Sequence, residues 1–179
     1  MSTPPRDRPF RVLFLCTGNS ARSQMAEAIL NRKGGRRFEA HSAGSHPADR
    51  VHPLALSILR EAGIEWRGHP PRTVAGLEQE PWDAVITVCD RARETCPVFS
   101  GQPILAHWGV PDPAEVVGTE EVRRAAFVDA LQLLSRRIDL MLVLPMEKLE
   151  RVALETRMRS IGSEVEAPAA GATTGRATT

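Results

Sequence analysis

Apolar and polar positions along this chain come in blocks that read strand, helix, strand. Residues 11–15 form a short apolar run. Residues 23–32 then carry Met25, Ala26, Ile29 and Leu30 at helical spacing until Gly34-Gly35 ends the helix. Residues 38–42 read as a second strand, followed by the turn-rich Ala43-Gly44-Ser45-His46-Pro47. Pro53 suits a first helical turn, and Leu54, Leu56, Ile58 and Leu59 fill a second helix that stops at Gly63. A proline-broken stretch, Gly68-His69-Pro70-Pro71-Arg72, leads to a short helix predicted over 74–80. Residues 84–88 are apolar on both faces, as in a covered parallel sheet, and 104–107 form a fourth strand. A long helix over 120–144 presents Phe127, Leu131, Leu134, Ile138 and Leu142 on one face. Pro145 interrupts it, and residues 146–161 read as a further amphipathic helix stopped by Gly162. The alternation predicts an α/β fold: a doubly wound, four-stranded parallel sheet flanked by helices, with its site beyond the carboxyl ends of the strands.

At 179 residues the chain has room for one domain with one core. The expected division is a flexible N-terminus over 1–9, the main domain over 10–144, a helical extension over 145–162 and a tail over 163–179. The tail's Ala/Gly/Thr/Glu composition is too poor in apolar side chains to pack and is expected to be disordered. A net charge of +1 with interspersed signs points to no nucleic-acid partner. The start lacks the apolar stretch of a signal peptide, and no segment has the apolar length of a membrane span. Three cysteines are too few, and odd in number, for a disulfide framework. The reading is a cytoplasmic monomer whose thiols stay reduced and are used chemically.

The chemistry concentrates in Cys16-Thr17-Gly18-Asn19-Ser20-Ala21-Arg22-Ser23, a Cys-x5-Arg-Ser loop between the first strand and the first helix. Backbone N–H groups of a tight glycine-containing loop, with a helix N-terminus behind them, hold a tetrahedral oxyanion. The same field is expected to favour Cys16 as the nucleophilic thiolate, below the roughly 8.5 pKa of a free thiol. Arg22 supplies a planar fork of donors, and Ser23 a hydroxyl within reach of the sulfur. A cysteine that merely packs at a strand end needs none of these companions.

Cys89 directly follows the 84–88 strand, as Cys16 follows the first, so both belong to one edge of a parallel sheet. If the two strands are neighbours, both sulfurs face one crevice. Cys96 comes seven residues after Cys89, across the charged segment Asp90-Arg91-Ala92-Arg93-Glu94-Thr95, whose composition permits a helix. Structural zinc is disfavoured: no Cys-x-x-Cys pair is present and His107 lies at no finger-like spacing. Asp112, between Pro111 and Pro113 after the fourth strand, is a candidate proton donor for a leaving oxygen, although Asp-Pro is also an ordinary turn dipeptide. Asn19 and Ser42 are candidate supporting residues; His41, His46, His52 and His69 are read as surface or packing residues.

Together, Cys16-Thr17-Gly18-Asn19-Ser20 with Arg22-Ser23-Gln24-Met25-Ala26-Glu27, Ser42-Ala43-Gly44, Thr87-Val88-Cys89, Cys96-Pro97, His107-Trp108 and Asp112-Pro113 resemble the thioredoxin-coupled arsenate reductases. These share the fold of the low-molecular-weight protein tyrosine phosphatases. The resemblance spans about residues 10 to 144. It implies that Cys16 attacks arsenate held by residues 17–23 (Thr17, Gly18, Asn19, Ser20, Ala21, Arg22 and Ser23) and that Asp112 protonates the departing oxygen. It further implies that Cys89 attacks Cys16 to release arsenite, and that Cys96 then takes the disulfide onto Cys89–Cys96 for thioredoxin, the external reductant, to reduce. No bound cofactor or metal is implied. Relatives with a structural potassium ion carry an acid where Arg72 stands here; Asn19, Glu27 and Ser42 match the other oxygen ligands, but a guanidinium disfavours the cation. The rival is a low-molecular-weight tyrosine phosphatase. Such enzymes carry aromatic residues near the acid, whereas Ala114-Glu115 follows Asp112-Pro113 here, the chain has no tyrosine, and a hydrolase has no use for Cys89 and Cys96. Weak phosphatase side activity is compatible with the reductase. An oxyanion-sensing regulator would carry a DNA-binding motif, and none is visible.

Overall fold

In the computed structural model, which describes residues 7–164, four parallel strands form one sheet in the order β2-β1-β3-β4. They are β1 Phe10–Cys16, β2 Phe38–Gly44, β3 Ala84–Thr87 and β4 Ile104–His107. The helices are α1 Arg22–Lys33, α2 Pro53–Glu61, α3 Asp90–Glu94, α4 Glu120–Leu142 and α5 Arg151–Glu164. β1 is buried at six of its seven positions and β3 at all four, because both strands lie inside the sheet and are covered. Phe14, Ile86, Ile29, Leu134, Ile138 and Trp108 are among the fully buried side chains of the resulting core.

The strand order reverses direction at β1, so the chain leaves β1 one way for β2 and the other way for β3. Crevices open at such a switch point beyond the carboxyl ends of the strands. Register sets the detail: Leu15 pairs with Thr87, and the Val88 N–H continues the ladder to the Leu15 carbonyl at 2.8 Å. Cys16 and Cys89 therefore emerge side by side.

Helix ends follow local chemistry. Thr119 caps α4 through the Val122 N–H, with Glu120 and Glu121 in its first turn. His52 caps α2 through the Leu54 N–H, and Pro53 takes the first helical position. Ala21, at the start of α1, has no side chain to cap with, which leaves the first-turn amides of that helix to the pocket.

The structure corrects several expected boundaries. β2 runs to Gly44, beyond residue 42, because Gly44 pairs with Cys16 and is bridged on its other side by Thr73. Residues 74–80 form successive turns rather than a helix; Gly76 at φ 91° breaks the run. The last helix starts at Arg151, not 146, since residues 145–149 close on themselves through Lys148 and Leu149 amides bonded to the Pro145 carbonyl. It continues through Ser163 to Glu164, past the expected stop at Gly162. The expected disordered stretch from 165 onward and residues 1–6 lie outside the described residues, while Arg8 pairs with Asp83.

α5 packs against β4, the edge strand. The buried Trp108 indole donates to the Met158 carbonyl at 2.9 Å, and Arg159 donates to the Leu105 carbonyl at 3.1 Å. A buried indole N–H left without that acceptor costs about 1–3 kcal/mol, so α5 and the strand end stabilise one another.

Candidate active site

The residues 16–23 wrap into a loop whose carbonyls are engaged on its outer side. Cys16, Thr17, Gly18 and Ser20 accept from the backbone N–H groups of Ser45, His46, Ala48 and His52, respectively, at 2.8 to 3.3 Å. With its oxygens held outward, the loop keeps its amides for the inside, the polarity an oxyanion requires. Gly44 makes the close approach possible: a Cβ there would lie 2.4 Å from the Thr17 carbonyl oxygen. Asn19 supplies the bend, at φ 48°, a left-handed conformation that Asn tolerates.

Beneath the loop runs a chain of hydrogen bonds whose directions at Asn19 and Ser42 are set by the Arg72 N–H and the Glu27 carboxylate. The Asn19 side-chain oxygen accepts from the Arg72 N–H at 3.0 Å and the Gln24 amide at 3.4 Å, so its nitrogen faces the two serines. That nitrogen donates to Ser23 Oγ and Ser42 Oγ, both at 2.9 Å. Ser42 then gives its hydrogen to Glu27 at 2.5 Å. Ser23 Oγ lies 2.9 Å from Cys16 Sγ, where it donates to the sulfur when that is anionic, and the Asn19 N–H donates to the same sulfur at 3.1 Å. Burial pushes the Cys16 thiol up from its ordinary range, while Ser23, the Arg22 charge and the Asn19 N–H pull it down. The expectation that loop, Arg22 and Ser23 together hold the resting Cys16 below a free thiol is thus corrected: burial weighs most in the resting pocket, and these donors only oppose it.

Arg22 donates to the Val110 carbonyl at 2.9 Å and to Asp112 Oδ2 at 2.8 Å. The loop after β4 brings Asp112 there because Trp108 and Val110 donate to the Thr87 and Val88 carbonyls, extending the ladder past the strand. Asp112 Oδ1 accepts from the Ala114 N–H at 3.0 Å, which orients the carboxyl group. Cys89 Sγ lies 3.4 Å from Thr17 Oγ1, and it caps α3 by accepting from the Ala92 N–H at 3.4 Å.

Cys16, Thr17, Gly18, Ser20, Ala21, Arg22, Cys89 and Asp112 line a single cavity of about 1180 Å³. Asn19, Ser23 and Ser42 sit buried behind it. Cys96 is not in its lining. This half-buried thiol, pushed up by burial, lines a neighbouring cavity of about 460 Å³ between β4, α3 and α5. All three thiols are free, so this is the reduced state.

Sequence reasoning missed the outer segment 45–52, whose backbone carries no side-chain signature. His69, read as surface or packing, is partly buried, with its Nε2 3.3 Å from Glu27. At the position where a cation ligand was considered, the Arg72 guanidinium donates to the Ser42 carbonyl at 3.0 Å. Among the described residues, no group of three or more His, Cys, Asp or Glu side chains gathers in a metal-binding cluster.

Comparison with known proteins gives relatives for this arrangement. An arsenate reductase of Halalkalibacterium halodurans is 35% identical over 127 residues, 71% of this chain and 91% of that protein. A crystal structure of an arsenate reductase from Archaeoglobus fulgidus superposes with a TM-score of 0.56 at 30% identity, covering 72% of this chain and 98% of the other. A thioredoxin-dependent arsenate reductase of Corynebacterium glutamicum matches with a TM-score of 0.52 at 30% identity, over 75% of this chain and 64% of that one. The model of the low molecular weight phosphotyrosine protein phosphatases matches residues 11–153, and the chain belongs to that family.

Proposed function

We propose that this protein is an arsenate reductase that converts arsenate to arsenite through Cys16, Cys89 and Cys96 and is regenerated by thioredoxin, in arsenic detoxification. The observation that carries the reading is the meeting of two free thiols, Cys16 and Cys89, with Arg22 and Asp112 in one cavity, and a third free thiol in the next. A hydrolase needs the first thiol alone.

Arsenate enters the amide-lined loop and takes two donors from the Arg22 fork. Cys16 sulfur bonds to arsenic as one arsenate oxygen departs, protonated by Asp112. Ser23 and the Asn19 N–H stabilise the sulfur as an anion before attack. Cys89 then attacks Cys16 sulfur. The S–As bond breaks with its electron pair going to arsenic, which leaves as arsenite, and a Cys16–Cys89 disulfide forms. Cys96 thiolate attacks Cys89 and releases Cys16. The Cys89–Cys96 disulfide passes to thioredoxin, whose dithiol supplies the two electrons the cycle consumes.

No bound cofactor enters this scheme, and the unit that performs it is residues 10–144. It works as a cytoplasmic monomer, where a thioredoxin system keeps thiols reduced. Among the described residues no helix is long and apolar enough to cross a membrane. The same Cys16, Arg22 and Asp112 suit slow hydrolysis of an aryl phosphate as a side activity.

The deciding experiment combines the protein with thioredoxin, thioredoxin reductase and NADPH. NADPH should be consumed when arsenate is added and not when phosphate is added. NADPH consumption independent of arsenate, or none with it, would remove the reductase reading.

A further inference from the structure

We infer that His107 is a positioning residue of the thiol relay, holding Cys89 toward Cys16 and keeping Cys96 apart from both until α3 opens. This rests on the relay reading of the three cysteines. His107 ends β4 and ties two neighbouring elements together. Its Nε2 lies 2.9 Å from Asp90 Oδ1, and its Nδ1 lies 2.8 Å from Thr87 Oγ1. The Asp90 carboxylate accepts, so Nε2 carries the hydrogen; in the neutral ring Nδ1 then accepts from the Thr87 hydroxyl. Asp90 is the first residue of α3 and directly follows Cys89. The imidazole thus pins the start of that five-residue helix to β3 and β4.

Two further observations point the same way. Gly109 has no left-handed backbone to justify it, but a Cβ there would lie 2.9 Å from His107 Nε2 and 3.6 Å from Asp90 Oδ1. The missing side chain leaves room for the His107–Asp90 contact. In addition, His107 lines both the cavity that holds Cys16 and Cys89 and the cavity that holds Cys96. It stands in the wall between the attacking and the resolving thiols. Breaking its contact with Asp90 frees the start of α3 and lets Cys96 approach Cys89.

The test needs no arsenate. Full-length reduced protein in a Cys16→Ser background is treated with diamide, which takes two electrons and two protons from a dithiol and leaves a disulfide. Formation of Cys89–Cys96 is followed by mass spectrometry of non-reduced peptides. Asp90→Ala and His107→Ala should each form the bond roughly two- to fivefold faster than the parent, the range expected for loss of one partly exposed pair. The double variant should be no faster than either single one, because both remove the same contact. His107→Gln, which keeps a donor for Asp90 and an acceptor for Thr87, should oxidise at the parent rate. The Asp90 side chain is 85% exposed, so its variant reports the contact even if His107→Ala folds poorly. Parent-rate oxidation in Asp90→Ala, multiplied effects in the double variant, or a His107→Gln rate equal to that of His107→Ala would each overturn the proposal. A wild-type protein that fails to reduce arsenate would defeat the functional reading alone, since no step of this assay uses arsenate.

Discussion

Arg22 and Asp112 are paired with each other across the pocket, guanidinium to carboxylate at 2.8 Å, with the second arm of the Arg22 fork on the Val110 carbonyl. Each is therefore occupied by the other before substrate arrives. An oxyanion that engages the fork competes with Asp112 for it.

That competition separates binding from turnover at one residue. Asp112→Asn removes the rival anion while keeping the side chain's shape, so phosphate should inhibit at an equal or lower concentration. Turnover should nevertheless fall about 100-fold or more for want of a proton donor. Steady-state kinetics of arsenate reduction, with phosphate as competitor, measures both. Weaker phosphate binding in this variant would show that Asp112 helps to hold the anion. Arg22→Lys should lose about 100-fold in kcat/KM, because a point charge cannot replace the fork.

The donors to the Cys16 sulfur give a pH prediction with a definite sign. Ser23 and the Asn19 N–H favour the anionic sulfur and so lower the titration of Cys16, against burial, which raises it. Ser23→Ala removes one lowering contribution. Its Cys16 should titrate at higher pH than in the wild type. Alkylation by iodoacetamide at any pH below the wild-type midpoint should slow in proportion to the lost thiolate, about tenfold if the midpoint rises by one pH unit. Arsenate, phosphate or sulfate should protect Cys16 in both. An unchanged pH profile in Ser23→Ala would mean that the hydroxyl does not face the sulfur.

The two remaining thiols should fail at different steps. Cys89→Ser should yield no arsenite even in a single turnover. Cys96→Ser should release one equivalent of arsenite and then stall with a Cys16–Cys89 disulfide, visible by mass spectrometry. Both should retain slow aryl phosphate hydrolysis. Steady-state arsenate reduction by either variant would refute the relay.

Formation of a Cys89–Cys96 disulfide would require α3 to open. Cys89 and Cys96 flank α3, and the helical rise from Cys89 to Glu94 alone is about 7.5 Å along the axis, whereas a disulfide holds its Cα atoms within about 7 Å. The helix also depends on Cys89 Sγ as the acceptor for the Ala92 N–H, and on the Arg93 and Thr95 amides bonded to the Cys89 and Arg91 carbonyls. Amide exchange across residues 92–95 should accelerate on oxidation to Cys89–Cys96, while β3 stays protected. Equal protection in both states would mean that the bond forms without unwinding.

Much of this architecture was legible because it is written in local pattern. The four strands, the loop at Cys16 and the placement of Cys16 and Cys89 at one sheet edge follow from short apolar runs and what succeeds them. The helix predicted over 74–80 failed because Gly76 and tertiary contacts of the turns outweighed its apolar spacing. The start of α5 was misplaced because the apolar pattern runs on through turn 145–149. The outer segment 45–52 acts through backbone N–H groups, which any residue but proline supplies, so no residue type marks it. Glu27 and Arg72 could be singled out only through the family resemblance, and the contacts of Gln24 and His69 join residues far apart in sequence, which single-sequence periodicity does not carry.

The outward tethering of the loop carbonyls by Ser45, His46, Ala48 and His52 means that the pocket exists only when β2 and the segment after it are docked. An oxyanion that requires the pocket therefore binds the native chain and ignores the unfolded one. By mass action, an anion at one hundred times its dissociation constant adds about 2.7 kcal/mol to the stability of the whole domain. Phosphate or sulfate in the buffer should therefore act as a thermal protectant of this protein, so that its melting temperature would gauge how fully the anion loop is occupied.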